Sequence, residues 1–136
     1  MIAPMPIPKT AIIDLLQTRL PGLLAVHAFG SQITGNAHAE SDLDLAVLVA
    51  GYADPLVLWD LSSLLAERAG CEVDLLDLRA ASTVMQYQIL STGERWWASD
   101  AQADLFEAAI LSEKTALDTA RAGLLADIQE RGSIHG

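Results

Sequence analysis

The 136-residue sequence is poor in cysteine and in positive charge. Its single cysteine, Cys71, excludes an intrachain disulfide, and no Cys/His spacing typical of a zinc site occurs. Eight Lys and Arg residues stand against eighteen Asp and Glu residues, which gives a net charge of −10. Because nucleic-acid backbones are bound by clustered cations, this balance argues against direct contact with DNA or RNA. It favours metal ions and basic protein surfaces as partners.

Long apolar runs are also missing. No apolar segment reaches the roughly 18 residues that a transmembrane helix needs. The N-terminal run MIAPMPIPKT has no basic start of the kind found in secretory signals, and it is interrupted by prolines. We therefore expect no membrane association and a cytoplasmic location. A hydrophobic content of 51% with 19% charged residues indicates a folded chain, and its length suits one domain over residues 1–136.

Apolar periodicity and turn residues predict helices that alternate with strands, an α/β (α+β) class. Thr10 is the expected cap of a first helix that ends at Pro21-Gly22, and Asp54-Pro55 is a strong helix start. A further helix is expected over 82–90. The predicted strands cover 23–29, 43–49, 71–78 and 95–98.

Residues 100–130 predict a long C-terminal helix, since they lack proline and are rich in alanine. At 1.5 Å per residue this helix would be about 45 Å long. Phe106, Ile110, Leu117 and Leu124 form one apolar seam. We expect its first half to cover the protein's own sheet. The second half, around Leu117, Leu124, Leu125 and Ile128, either contacts another chain or also packs on the sheet.

The most informative motif is Gly30-Ser31, followed after ten residues by Asp42-Leu43-Asp44. Alternate residues of a strand share a face, so Asp42 and Asp44 are expected side by side, about 6.5 to 7 Å apart. Paired carboxylates suit Mg²⁺, which is often held by one or two carboxylates and substrate phosphates. Glycine allows close approach of a ligand, and the Ser31 hydroxyl can donate to phosphate. The motif therefore predicts a triphosphate on the turn and metals on the strand.

The same spacing, GSx10DxD, resembles the signature of the DNA polymerase β-type nucleotidyltransferase superfamily. The run 41–45 (SDLDL) and the run 73–78 (VDLLDL) are similar to those of the minimal nucleotidyltransferases, the MntA-type antitoxins of HEPN/MNT toxin–antitoxin pairs. The resemblance covers about residues 23–98. It implies a polymerase β-like core over about 10–98, with a small mixed sheet flanked by helices, followed by the long C-terminal helix.

The resemblance also implies a reaction. Asp74 matches the family's third carboxylate, which helps to hold the catalytic metal and to orient or deprotonate the attacking hydroxyl. With Asp42 and Asp44 it would bind two Mg²⁺ ions, while Gly30 and Ser31 seat the triphosphate of ATP. AMP would pass to a tyrosine hydroxyl of a HEPN ribonuclease toxin, with pyrophosphate leaving. Asp77, expected on the other face of its strand, is not included in this site.

One departure from the family pattern concerns positive charge. No Arg or Lys lies in 32–41, where His38 is the only residue that could become cationic. Arg79 and Arg95 are therefore candidate partners of the triphosphate on sequence position alone, although an ordinary surface or partner-facing role is the expected one for each. The three tryptophans, Trp59, Trp96 and Trp97, are expected to be structural.

Two other functions fit the same motifs. The chain could transfer a nucleotide to a small molecule, as aminoglycoside nucleotidyltransferases do, although those enzymes usually carry a further substrate domain. It could instead neutralise a toxin by binding alone, through the C-terminal helix.

Overall fold

The computed structural model describes residues 7–30, 33 and 42–135, with side-chain environments described through residue 123. In that part of the chain the elements are α1 (Lys9–Arg19), β1 (Leu23–Phe29), β2 (Leu43–Val49), α2 (Pro55–Ala69), β3 (Val73–Asp77), α3 (Thr83–Thr92), β4 (Glu94–Ala98) and α4 (Ala101–His135). The order and type of these elements agree with the prediction. The third strand is shorter than the predicted 71–78.

The four strands form one mixed sheet in the order β3-β2-β1-β4. β2 and β3 run parallel, whereas β1 is antiparallel to both β2 and β4. Because parallel neighbours need a crossover connection, the chain returns through α2 between β2 and β3. This arrangement confirms the predicted small mixed sheet flanked by helices. It also leaves β3 at one edge of the sheet.

Local signals set most of the helix ends. The Asp54 carboxylate accepts a hydrogen bond from the Leu56 amide at 2.9 Å, and α2 ends at Gly70 in the left-handed conformation with φ 74°. Ser82 caps α3 by accepting from the Met85 amide at 3.2 Å. The prediction for Thr10 was wrong, because α1 begins at Lys9 with Pro8 at the N-cap position. Proline, which lacks an amide hydrogen, is tolerated at a helix entrance.

Helices cover both faces of the sheet. Helices α1 and α2 pack on one face, and their core comprises Ile12, Leu16, Val26, Leu45, Val47, Leu61, Leu65, Val73 and Leu75, among others. On the opposite face, α3 and the start of α4 enclose a smaller core of Ala25, Ala46, Leu48, Leu78, Ile89 and Ala103. Its β2 and β3 side chains, Ala46, Leu48 and Leu78, come from the middle and end of β2 and from the residue after β3, so the starts of these two strands are not part of the smaller core.

Helix α4 has 35 residues and is about 52 Å long, while a seven-residue strand spans about 23 Å. Ala103 and Ile110 are buried, and Phe106 packs against the smaller core, which confirms that the first half covers the sheet. Beyond Ile110 no residue through Gly123 is buried, and Leu117 is 55% exposed. The helix passes the predicted end at 130 and continues to His135. Within the described ranges, no helix is long and apolar enough to span a membrane.

Asp77 is a structural residue. It is 7% exposed and accepts hydrogen bonds from the amides of Ala53 at 2.9 Å and Arg79 at 3.0 Å, which joins the start of α2 to the end of β3. Replacing Asp77 with Ala leaves two amides without this acceptor, so we expect the free energy of unfolding to fall by about 1–3 kcal/mol. Urea titration measures the change. The exposed Asp60→Ala serves as control, and equal midpoints for the two variants would contradict this role.

A charged cluster joins α4 to the sheet. His27 on β1 is 2% exposed, and its Nε2 lies 3.2 Å from Glu107 Oε1 without an aligned hydrogen bond. Arg95 contacts Asp104 at 2.7 Å and Glu107 at 3.0 Å. Burial, aided by the charge of Arg95, lowers the pKa of His27 from 6.5 to about 4. Burial raises the pKa of Glu107 despite the opposing effect of Arg95.

These shifts predict a pH-dependent stability. Between pH 6.5 and about 4 the unfolded chain protonates His27 while the folded chain does not, so stability falls as the pH falls through this window. The effect of His27 alone is at most about 3 kcal/mol. Glu107 offsets part of it, because a raised carboxyl pKa favours the folded state on acidification. In His27→Gln, chemical denaturation at several pH values should show a smaller loss over this window. Parallel pH curves for the two proteins would contradict this role of His27.

Candidate functional site

The predicted carboxylates lie together at the end of the sheet where β2 and β3 begin. Asp44 lies directly opposite Asp74 in the parallel register of β2 and β3, and Asp42 immediately precedes β2. The Leu43 amide donates to the Glu72 carbonyl at 2.9 Å, which holds the two strand starts together. Side chains alternate along each strand, so Asp42, Asp44 and Asp74 share the face opposite Leu43 and Val73. Asp42 and Asp74 are exposed, whereas Asp44 is half-buried.

Gly30 follows β1 and approaches the same carboxylates. Phe29 is opposite Asp44 in the antiparallel register, which brings the next residue, Gly30, beside the Asp44 side chain. Gly30 has φ 83°, and a Cβ atom built there would overlap Asp44 Oδ2 and lie 3.2 Å from Asp44 Cγ. A glycine is therefore required by both conformation and space. Its carbonyl accepts from the Ile33 amide at 3.1 Å. Ser31 and His38 lie outside the described residues.

The electrostatics of the site favour a bound cation. Burial raises the pKa of Asp44, and the neighbouring carboxylates of Asp74 and Asp42 raise it further. Three carboxylates on one face therefore repel each other, and a cation would relieve that repulsion. The donors are all hard oxygen ligands of the kind that Mg²⁺ prefers. In the described ranges, no three His, Cys, Asp or Glu side chains are placed so that together they could hold a metal ion. A metal at these carboxylates would therefore need further ligands, such as phosphate oxygens and water.

Neither predicted arginine is directed to this site. Arg79 lies beyond the opposite end of β3, where its guanidinium donates to the Val49 carbonyl at 3.3 Å and stacks 4.8 Å from the Phe106 ring centre. Arg95 is on β4, and its guanidinium is held by two acidic side chains of α4. Both arginines therefore have structural contacts. The hypothesis that one of them meets the triphosphate is not supported by these positions.

Two features near the carboxylates were not part of the sequence-based site. Glu72 is exposed and lies two residues before Asp74, so it belongs to the same face; this spacing was the available signal. Trp59, expected to be structural, is instead 75% exposed on α2. It lines a groove of about 510 Å³ that also reaches Asp42, Glu72 and Asp74. Trp96 and Trp97, by contrast, are half-buried against the larger core, as predicted.

The chain matches known proteins over this same region. The family model described as "Polymerase beta, Nucleotidyltransferase" matches residues 10–102. The chain is 36% identical over 120 residues to the protein adenylyltransferase MntA of Shewanella oneidensis, an alignment that covers 88% of this chain and 86% of that protein.

Solved structures of toxin–antitoxin complexes are similar as well. A chain of a toxin–antitoxin crystal structure with AMP-PNP superposes with a TM-score of 0.77 at 34% identity, covering 90% of this chain and 98% of that one. A structure of the tri-AMPylated Shewanella oneidensis HEPN toxin in complex with its MNT antitoxin gives 0.70 at 32% identity, covering 89% and 95%. These relatives confirm the resemblance to MntA-type minimal nucleotidyltransferases. The chain therefore belongs to the polymerase β nucleotidyltransferase family.

Proposed function

We propose that this protein is an adenylyltransferase antitoxin, which transfers AMP from ATP to a tyrosine hydroxyl of a cognate HEPN ribonuclease toxin and so inactivates it. The observation that carries the proposal is the register of Asp44 with Asp74, beside a glycine that lies against Asp44. The relatives reported above support it, since they include a protein adenylyltransferase and a complex with an AMPylated HEPN toxin.

Each residue has a role in this proposal. Asp42, Asp44 and Asp74 hold two Mg²⁺ ions, which supply positive charge to the phosphates when bound. Gly30 and Ser31 seat the β- and γ-phosphates, because the turn after β1 allows close approach of the backbone. Asp74 lies nearest the outer edge of the sheet, where it orients the acceptor hydroxyl and accepts its proton. The hydroxyl oxygen bonds to the α-phosphorus as the bond to pyrophosphate breaks.

Helix α4 is the proposed contact with the toxin outside the active site. Its exposed part after Ile110 extends well beyond the sheet and presents Leu117 to solvent. Apolar side chains on a projecting helix are suited to packing against a second helical protein. The net charge of −10 favours a basic partner surface. No nucleic acid takes part in this proposal.

The test is incubation of the protein with the toxin and with ATP labelled at the α-phosphate. We expect label on the toxin with Mg²⁺ and none after removal of divalent cations by EDTA. Toxin that is neutralised without ever acquiring label would favour inhibition by binding alone. A kanamycin-like aminoglycoside that accepts label in place of the toxin would favour a small-molecule transferase.

A further inference from the structure

A groove of about 510 Å³ lies between α2 and the outer edge of β3. Leu58, Trp59, Ser62 and Ala66 line it from α2, and residues 72–75 line it from β3. At its other end the groove reaches Asp42 and Asp74. It is therefore continuous with the carboxylates of the candidate active site.

The β3 side of this groove is an open sheet edge. The Glu72 carbonyl and the Leu78 amide both bond to β2, through Leu43 and Val47. Because successive backbone groups alternate in direction, the N–H and C=O groups of Val73 and Leu75 point away from β2. No strand in the described ranges pairs with this edge. An extended peptide can add to such an edge through main-chain hydrogen bonds.

The groove lies apart from Gly30, where the proposed nucleotide-binding turn begins. Gly30 lies at the end of β1, on one side of β2, whereas the groove lies beyond β3, on the other side. The carboxylates stand between the two. A triphosphate at Gly30 therefore leaves the β3 side open to the second substrate.

We propose that the groove holds an extended segment of the acceptor protein, whose tyrosine faces the carboxylates while an apolar neighbour packs against Trp59. This inference rests on the proposed function. Along a β-strand, alternate side chains face opposite sides. When the tyrosine of the bound segment faces the Asp74 side of the sheet, the segment's residues one and three positions from the tyrosine face α2.

The dimensions of α2 agree with this arrangement. The chain passes directly from the end of α2 at Gly70 to Glu72, and the Ala53 amide bonds to Asp77, so α2 runs antiparallel to β3. Ala66 is thus near the carboxylates, and Trp59 is about 10 Å farther along the helix. That distance equals about three residues of extended chain. Glu72, exposed at the carboxylate end, adds a preference for a basic residue close to the tyrosine.

The test measures AMP transfer to the full-length toxin with each substrate varied in turn. In Trp59→Ala we expect the KM for the toxin to rise about tenfold or more, as for an aromatic residue at the centre of an interface. The KM for ATP should stay within about twofold of the wild-type value, because the groove and the proposed nucleotide-binding turn are separate. Ser62→Trp, which fills the groove, should also raise the KM for the toxin. Leu56→Ala is the matched control, because Leu56 is equally exposed at 75% on the same helix but does not line the groove.

An unchanged KM for the toxin in both groove variants would overturn the inference, and so would a rise in the KM for ATP alone, which would assign the groove to the nucleobase. Thermal melting of each variant excludes misfolding as the cause. If the wild-type protein does not label the toxin at all, the proposed function fails and this inference falls with it. Normal labelling by wild type and by both groove variants would overturn the inference alone.

Discussion

Replacing both Asp42 and Asp44 with Asn should reduce AMP transfer by about a thousandfold or more. The two carboxylates are the only described acidic side chains on β2 and its entrance, and their loss removes most of the negative charge that holds the metals. Metal ions contribute several kcal/mol of transition-state stabilisation in such reactions, and every 1.36 kcal/mol corresponds to a tenfold change in rate. Single-turnover labelling of the toxin under saturating ATP measures the rate.

The same variant should fold well. Burial and the neighbouring carboxylates raise the pKa of Asp44, so without a metal its charged form is less stable than that of an exposed carboxylate. We expect the melting temperature without divalent cations to be equal to or above that of wild type. Asp14→Asn, on the exposed side of α1, removes one carboxylate charge away from the site and should retain full transfer. Transfer by Asp42→Asn/Asp44→Asn at a rate close to wild type would contradict the assignment of these residues.

Gly30→Ala should lower AMP transfer by about a hundredfold, because a misplacement of about 1 Å near the reacting atoms can have an effect of this size. The added Cβ would overlap the Asp44 carboxylate and displace it. The left-handed backbone at φ 83° should also reduce stability by about 1–2 kcal/mol. Labelling rates and urea titration measure the two effects separately.

Gly51→Ala is the matched control for this change. Gly51 has φ 81°, and a Cβ atom there would meet nothing within 4 Å. Gly51→Ala should therefore lose the same amount of stability from backbone strain as Gly30→Ala, about 1–2 kcal/mol. Its rate of AMP transfer should be unchanged. If Gly30→Ala and Gly51→Ala lose transfer equally, backbone strain and not the contact with Asp44 is the cause.

Much of the fold could be predicted because its signals are local. Asp54-Pro55 and Gly70 determine the ends of α2 through a side-chain cap and a left-handed residue, and both are visible in the sequence. The prediction that Asp42, Asp44 and Asp74 meet rests on two kinds of information. The shared face of Asp42 and Asp44 follows from the alternation of side chains along one strand, which is a local pattern. The placement of Asp74 on a neighbouring strand came from the resemblance to a family.

Features that depend on the order of the strands could not be predicted from local patterns. Trp59 falls in an apolar helical stretch that reads as core, yet α2 buries Leu58, Leu61 and Leu65 and leaves the Trp59 ring 75% exposed. Arg79 is close to Asp74 in sequence, but the direction of β3 carries it to the far end of the sheet. The roles of Asp42, Asp44, Asp74, Gly30 and Ser31 in catalysis stay predictions.

We expect a tyrosine of the toxin to receive AMP from this protein. The most direct measurement is tandem mass spectrometry of the toxin after incubation with the protein, ATP and Mg²⁺, with the toxin's ribonuclease activity followed in the same samples. We predict AMP on a tyrosine, with ribonuclease activity lost in proportion to the fraction modified. Complete loss of ribonuclease activity while the toxin carries no AMP would contradict neutralisation by AMP transfer.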